Sequence, residues 1–421
     1  MKSKNIFKKN FTKFFKNELV RGGLYLTIMM NIFNAIGFLF QFISARVLGP
    51  ADYGILTTIM ALIYILAIPS DSIQTIISRF STKYSTKKDY PRLKNLMFSG
   101  IRKFLFLGFL GFLLMALLSG VIGSFLDINF IFIILLGVMA IGMLIIPVLR
   151  GILQGTKKFN YLGFSFIIEG TIKLLLVIIL FLFGLRIFSP VFSIILSVFV
   201  AFVFIFTFSP IKKIIFSKRI KEKVTGIYSY SFPVLLALTC ITIFYTIDLL
   251  LAKRFFGGEI AGLYGAIAIL SKIIFFFSVP ISRALFPIVS EKNDNKISTK
   301  SIVWKTLSFM FGLGILALLA YLIFPKLIIY ILYGSQYIGF STYLIYPTIA
   351  MVFLSLTNII IFSNLSNPKD KSVYFLPIFV IIQLVLLFLF HNTLMQFISM
   401  LILGNSITFL YFLINLIKNE K

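Results

Sequence analysis

Residues 46–54 have the sequence Arg-Val-Leu-Gly-Pro-Ala-Asp-Tyr-Gly and stand between two long apolar runs, 22–46 and 54–78. Each run has the roughly twenty residues that an α-helix needs to cross a hydrocarbon core of about 30 Å. The same alternation of helix-length apolar runs and short polar turns continues along the whole chain. The pattern therefore predicts an all-α membrane protein in which short turns join the spanning helices.

The composition excludes an ordinary soluble protein. Hydrophobic residues make up 59% of the 421 positions and charged residues only 13%, and the mean hydropathy is +1.03. A soluble surface needs more charge than this. The formal net charge of +27 would suggest nucleic-acid binding in a soluble protein. Here the basic residues stand in short runs between apolar segments, so we expect no nucleic-acid partner.

The apolar runs predict about twelve membrane-spanning helices, and the basic residues predict their orientation. Lys and Arg are concentrated in the N-terminal segment and in the turns that follow the even-numbered spans, which places both termini in the cytoplasm. The predicted spans are 22–46, 54–78, 104–125, 129–149, 160–184, 187–209, 226–252, 261–288, 306–325, 341–364, 373–390 and 393–417.

The longest polar stretch, Lys212–Lys223, lies near the midpoint and divides the chain into two halves. We predict a basic cytoplasmic segment at 1–21, an N-terminal six-helix bundle at 22–211, a basic cytoplasmic linker at 212–224 and a C-terminal six-helix bundle at 225–421. The N-terminal segment lacks a small-residue cleavage pattern, so we expect no removable signal peptide.

The two halves share a sparse repeat. In both, an Arg and a Gly precede a Tyr-Gly pair, and a Pro follows the Tyr by sixteen residues. The copies have the same orientation, which predicts a pseudo-twofold axis along the membrane normal, as in transporters built from two like halves. The first copy comprises Arg46, Gly49, Tyr53, Gly54 and Pro69, and the second comprises Arg254, Gly257, Tyr264, Gly265 and Pro280.

The segment Arg46–Gly54 resembles the first-loop motif of polysaccharide biosynthesis membrane proteins. These are the oligosaccharide-lipid flippases of the multidrug/oligosaccharidyl-lipid/polysaccharide (MOP) exporter superfamily. The segment Asp248–Lys253 is similar to the motif of that family's second half. Further positions that fit this second motif and its continuation are Gly257, Gly262, Leu263, Tyr264, Ala266, Pro280, Arg283 and Pro287.

The resemblance implies a transporter, not an enzyme, that moves polyprenyl-phosphate-linked oligosaccharide from the inner to the outer leaflet by alternating access. It implies a multi-pass protein of a prokaryotic plasma membrane. The expected partners are the lipid-linked sugar, membrane lipid and polysaccharide-assembly proteins, and we expect a monomer without a cofactor.

One histidine, His391, and one cysteine, Cys240, offer no metal site and no intrachain disulfide.

Ionisable residues inside the spans are candidate functional groups, because an unpaired charge in hydrocarbon costs several kcal/mol. The basic candidates could bind the phosphate of a substrate, and the carboxylates could couple an ion or form ion pairs. The predicted substrate-binding residues are Lys173, Lys272, Arg283 and Arg46, and the predicted carboxylates are Asp71, Glu169 and Asp248.

The spacing of these residues leaves alternatives open. Glu169 and Lys173 are four residues apart, which predicts an ion pair on one helix face; in the alternative, Lys173 turns to a bound anion. Lys272 and Arg283 are eleven residues apart and share a face. In one alternative, the two side chains contact a substrate phosphate at different depths as it crosses the bilayer. In the other, Lys272 pairs with Asp248 and Arg283 reaches the inner interface. Arg46 stands at a helix end, where it could instead anchor to lipid head groups or form a structural link to Asp52 or Glu259.

Two other functions compete with a flippase. A multidrug or organic-cation antiporter of the same superfamily would need carboxylates that are free to bind cations. A membrane-embedded glycosyltransferase or polymerase would need a sizeable outer loop or domain with catalytic carboxylates, and the predicted outer loops are short.

Overall fold

The structure is a computed structural model that describes residues 18–211, 232–294, 298–366 and 370–419. These residues are almost entirely helical, and no β-strand occurs among them, which confirms the all-α prediction. Two short 3₁₀ segments, Ser335–Tyr343 and Ser372–Phe375, join helices in the second half. The α-helices are α1 (Glu18–Thr86), α2 (Tyr90–Leu126), α3 (Phe130–Gly155), α4 (Phe159–Leu182), α5 (Phe188–Phe208), α6 (Phe232–Asp294), α7 (Lys300–Ile323), α8 (Pro325–Tyr333), α9 (Ile345–Leu365), α10 (Leu376–Leu389) and α11 (Leu394–Asn419).

Helices α1 and α6 are each interrupted by a glycine with a non-helical backbone. Gly49 has φ 74° and ψ 173°, and Gly257 has φ 76° and ψ −177°. A positive φ favours glycine because it has no Cβ to clash with the backbone. The two glycines occupy equivalent positions in the predicted repeat, so the same local turn occurs in both halves of the sequence.

The helices are long and apolar enough for a membrane protein. Within the described ranges, ten helical segments qualify as candidate membrane spans by length and composition, and the two longest contain the interruptions at Gly49 and Gly257. The number of twelve crossings and the cytoplasmic position of the termini stay predictions. The basic segment at 1–17 and most of the linker at 212–224 lie outside the described residues.

The chain forms two compact units. Of the described residues, unit 1 comprises those in 18–44, 69–120 and 130–211, and unit 2 comprises those in 45–68, 121–129 and 232–419. Residues 45–68 and 121–129 belong to the first half of the sequence but to the second unit. The unit boundaries therefore differ from the boundaries of the two predicted six-helix bundles, which stay a prediction.

Each unit has its own apolar core. In unit 1 the core is formed by residues of all five helices from α1 through α5. It includes Leu93, Met97 and Leu149, which are almost fully buried. In unit 2 the core is formed by α6, α7 and α9 to α11, with Phe244, Phe275 and Phe412 at 0–1% exposure. Large exposed apolar side chains elsewhere, such as Leu117 and Leu182, suit contact with lipid.

Within unit 2, the backbone after Gly49 packs directly on the backbone after Gly257. A Cβ on Gly262 would overlap the carbonyl oxygen of Pro50, and a Cβ on Gly54 would overlap the carbonyl oxygen of Gly258. Glycines allow such close approach between membrane helices. The Tyr-Gly motif that the sequence repeats thus contributes to a contact between segments from the two sequence halves.

We predict that Gly262→Ala lowers stability by about 1–3 kcal/mol, because the added methyl group forces two backbones apart. Gly312→Ala is the matched control, since a Cβ at that position has no atom within 4 Å. The apparent unfolding midpoints of the purified proteins measure the difference. Equal midpoints for the two variants would show that the backbone contact does not limit stability.

Candidate functional site

Unit 1 holds an ion pair between α3 and α4. Arg150 Nη2 lies 2.6 Å from Glu169 Oε2, and Arg150 also donates to Ser165 through Nε (3.1 Å to Oγ) and Nη2 (3.2 Å to the carbonyl oxygen). The guanidinium carbon lies 3.9 Å from the centre of the Phe166 ring. Ser165 and Glu169 are one helical turn apart, so α4 presents both to Arg150 on one face.

This pair corrects the expectation that Glu169 binds Lys173. Helix α3 continues to Gly155, whereas the sequence suggests an end near residue 149. Arg150 is consequently a buried helix residue, at 6% exposure, and not part of a solvated turn. The Arg150 guanidinium on the neighbouring helix gives Glu169 a direct, charge-assisted hydrogen bond. This explains why Glu169 pairs with Arg150 and not with Lys173.

Lys173 lies one turn beyond Glu169 and is only partly exposed. Its ammonium is 5.4 Å from the ring centre of Phe33 and 5.0 Å from that of Phe40. Gly37 lies between them on the same face of α1, and a Cβ there would be 4.0 Å from Lys173 Nζ. Cations are attracted to aromatic ring faces at these distances. Among the described residues, Lys173 forms no ion pair.

Unit 2 holds a second ion pair within α6. Lys272 Nζ lies 2.9 Å from Asp248 Oδ1, and Tyr264 donates a hydrogen bond of 2.9 Å to Asp248 Oδ2. The structure therefore has the Asp248 pairing that the sequence left as one of two alternatives for Lys272. Arg283, the other member of the suggested cationic face, is exposed. The side chain of Asp71 lies outside the described part of the structure.

Arg46 contacts the C-terminal end of α8. Its Nε donates to the carbonyl oxygen of Leu332 (3.2 Å), and its Nη2 donates to those of Tyr330 (3.1 Å) and Ile331. The last carbonyls of a helix lack intrahelical partners and carry partial negative charge, so a guanidinium is a favourable cap. The structure thus gives Arg46 a contact with the end of α8, which sequence reasoning did not foresee.

Two tyrosines beside this cap were also missed. Tyr333 and Tyr337 are buried against Tyr53, with ring centres 5.9 Å and 6.0 Å away, and Tyr337 donates to the carbonyl oxygen of Ala45 (2.9 Å). Burial raises the pKa of Tyr337, so its phenol remains protonated and can donate this bond. Tyr333 and Tyr337 lie between the predicted spans 306–325 and 341–364, in a stretch that the sequence predicts to be a connection.

We predict that Arg46→Gln lowers stability by about 1 kcal/mol, because the end of α8 loses its charged cap. If the protein binds the lipid-linked sugar that the sequence resemblance implies, its affinity should stay within about twofold of the wild type. Unfolding midpoints and binding titrations on the same preparation measure the two effects. A large loss of affinity with unchanged stability would instead make Arg46 a substrate ligand.

The described residues contain no group of three or more His, Cys, Asp or Glu side chains that could hold a metal ion. His391 stacks on Phe255 at 3.8 Å between ring centres, and Cys240 is buried.

Comparison with known proteins places this chain in a family. Residues 19–293 match the family model described as polysaccharide biosynthesis protein. An uncharacterized membrane protein of Methanocaldococcus jannaschii is 29% identical over 316 residues, which cover 71% of this chain and 74% of the relative.

Solved structures share the fold at low sequence identity. An inward-facing multidrug resistance MATE family transporter of the MOP superfamily is 13% identical, with a TM-score of 0.74 over 94% of this chain and 98% of its own. A MOP superfamily transporter from Pyrococcus furiosus, whose binding pocket has reversed polarity, is 16% identical, with a TM-score of 0.65 over 96% of both chains. The chain therefore belongs to the polysaccharide biosynthesis protein family, and it has the fold of the MOP superfamily transporters.

Proposed function

We propose that this protein flips a polyprenyl-phosphate-linked oligosaccharide, a polysaccharide precursor, from the inner to the outer leaflet of a prokaryotic plasma membrane. Family membership supports the substrate class, and the MOP transporter fold supports alternating access. The observation that carries the proposal is Lys173, a partly buried ammonium that forms no ion pair among the described residues.

The charge balance around Lys173 favours an anionic substrate. Arg150 and Glu169 neutralise each other at 2.6 Å, so the group that they form with Lys173 carries one net positive charge. A positive charge in an apolar span is costly unless a counter-ion or water accompanies it. A substrate phosphate would supply the counter-ion and form a charge-assisted hydrogen bond with the ammonium.

The aromatic rings of Phe33 and Phe40 make Lys173 suitable for reversible binding. Ring faces stabilise the ammonium in the absence of substrate by roughly 0.5–2 kcal/mol, less than a full buried ion pair would. Lys173 is therefore not held by a carboxylate that an incoming phosphate must displace. Arg283, which is exposed on α6, keeps its role as a second candidate for contact with the phosphate.

The competing proposal is an organic-cation antiporter, because solved structures of this fold include multidrug transporters. Such a substrate would need an available carboxylate. Glu169 and Asp248 are instead engaged by Arg150 and Lys272. In the Pyrococcus furiosus transporter, the reverse polarity of the binding pocket suggests a different function, so the fold alone does not favour the antiporter.

A binding experiment separates the two proposals. The purified protein is titrated with a polyprenyl-phosphate sugar, with the matching polyprenol that lacks phosphate, and with tetraphenylphosphonium as an organic cation. We expect the phosphate-bearing lipid to bind at least tenfold more tightly than the polyprenol, because one charge-assisted contact contributes about 1.5–3 kcal/mol. Tighter binding of tetraphenylphosphonium than of the phosphate-bearing lipid would favour the antiporter.

A further inference from the structure

Both carboxylate oxygens of Asp248 are engaged deep inside unit 2. Oδ1 lies 2.9 Å from Lys272 Nζ, and Oδ2 accepts the 2.9 Å hydrogen bond of the Tyr264 phenol. Asp248, Lys272 and Tyr264 are exposed by only 1%, 2% and 0%. Bulk water therefore has almost no contact with the charged groups.

A carboxylate in such surroundings requires a cation, because removing an unpaired charge from water costs several kcal/mol. Tyr264 provides a directional hydrogen bond but no charge. The hydroxyls of Thr246 and Ser271, which stand near Asp248 and Lys272 in the sequence, donate to carbonyl oxygens of their own helical turns. The Lys272 ammonium is thus the positive charge that directly balances Asp248.

The pairing follows from the geometry of the interrupted helix. Asp248 lies nine residues before Gly257, and Lys272 lies fifteen residues after it. Side chains of a helix tilt towards its N-terminus. On the segment before the turn Asp248 tilts away from Gly257, and on the segment after it Lys272 tilts towards Gly257. The long lysine side chain can therefore reach the carboxylate although the two backbones are offset.

We infer that Asp248 and Tyr264 form a binding site for a small monovalent cation, and that the Lys272 ammonium is its built-in occupant. The site matches a primary ammonium: one oxygen accepts an N–H bond, and the second is held by a phenol. The intact protein then needs no external cation at this point. Shortening the Lys272 side chain opens the site to an external primary ammonium ion.

The test is chemical rescue of Lys272→Ala by n-propylammonium, which has the three carbons and the amine that the substitution removes. The apparent unfolding midpoint of the purified protein is measured at constant ionic strength with n-propylammonium, n-propanol, Na⁺ or K⁺. We expect Lys272→Ala to unfold roughly 5–10 °C below the wild type. We expect n-propylammonium, but not n-propanol, to restore at least half of this difference.

Two further variants identify the site of rescue. Asp248→Asn combined with Lys272→Ala removes the anion and should lose the response to n-propylammonium. Lys305→Ala, at an exposed position, should show neither the initial loss nor the rescue. Additional stabilisation of Lys272→Ala by Na⁺ or K⁺, abolished by Asp248→Asn, would also support the cation site.

The inference is overturned if n-propylammonium stabilises Lys272→Ala no more than n-propanol does, or stabilises the double variant equally. If Lys272→Ala does not fold, Lys272→Met is compared with Asp248→Asn/Lys272→Met. The site predicts that the double variant is the more stable of the two, because Lys272→Met leaves Asp248 without a cation. Equal stability would contradict the inference.

Discussion

Lys173→Gln is expected to reduce the initial rate of lipid-linked sugar translocation at least tenfold. The substitution keeps a polar side chain but removes the positive charge that, in our proposal, binds the substrate phosphate. A hydrogen bond to a charged group contributes about 1.5–3 kcal/mol, which corresponds to roughly ten- to hundredfold in binding or rate. Lys173→Arg keeps the charge and should retain most of the activity. The rate is measured in proteoliposomes that contain equal amounts of folded protein.

The matched control is Lys305→Gln, which removes one positive charge from an exposed position on α7. It should leave the rate unchanged, so that a general effect of net charge can be excluded. Unfolding midpoints of all three variants test whether Lys173 has only a structural role. A folded Lys173→Gln protein that translocates as fast as the wild type would remove Lys173 from the substrate site.

Arg150→Met is expected to lower the free energy of unfolding by about 3 kcal/mol. Removing one partner of a largely buried ion pair leaves the other charge uncompensated, and the Glu169 side chain is only 16% exposed. The substitution also removes two hydrogen bonds to Ser165. Stability is measured by equilibrium unfolding in lipid-containing micelles.

A double-mutant cycle isolates the pair. Arg150→Met/Glu169→Gln should be more stable than Arg150→Met, because no unpaired charge remains. The two single substitutions should therefore be non-additive by at least about 1 kcal/mol. Additive losses would show that Arg150 and Glu169 stabilise the unit independently, despite the 2.6 Å contact.

The existence of the helices could be predicted from the sequence, but their ends could not. Helix-length apolar runs reveal segments that cross hydrocarbon, and the run at 393–417 nearly coincides with α11, Leu394–Asn419. By contrast, α2 begins at Tyr90, well before the apolar run that starts near 104. Its first turns carry Arg92, Lys94 and Arg102. A helix can extend beyond the bilayer through charged residues. A hydropathy pattern assigns those residues to a loop.

The pairing of charges was predictable only where both partners lie inside predicted spans, and Arg150 falls just outside the predicted span 129–149. Asp248 and Lys272 flank one turn, so their ion pair could be foreseen as an alternative. The spacing of Glu169 and Lys173 favoured a pair within one helix, but Arg150 on α3 is the actual partner of Glu169. The acceptors of Arg46 lie more than 280 residues away in the sequence. A single sequence without a fold carries no signal for such a contact.

The proposed function is tested most directly by leaflet translocation of a fluorescent polyprenyl-phosphate sugar in proteoliposomes. Probe in the outer leaflet is quenched chemically, and the appearance of probe from the inner leaflet is followed in time. We predict translocation at least tenfold faster than in protein-free liposomes, with little movement of the matching polyprenol. A rate no faster than in protein-free liposomes, together with export of tetraphenylphosphonium by the same preparation, would contradict the flippase proposal.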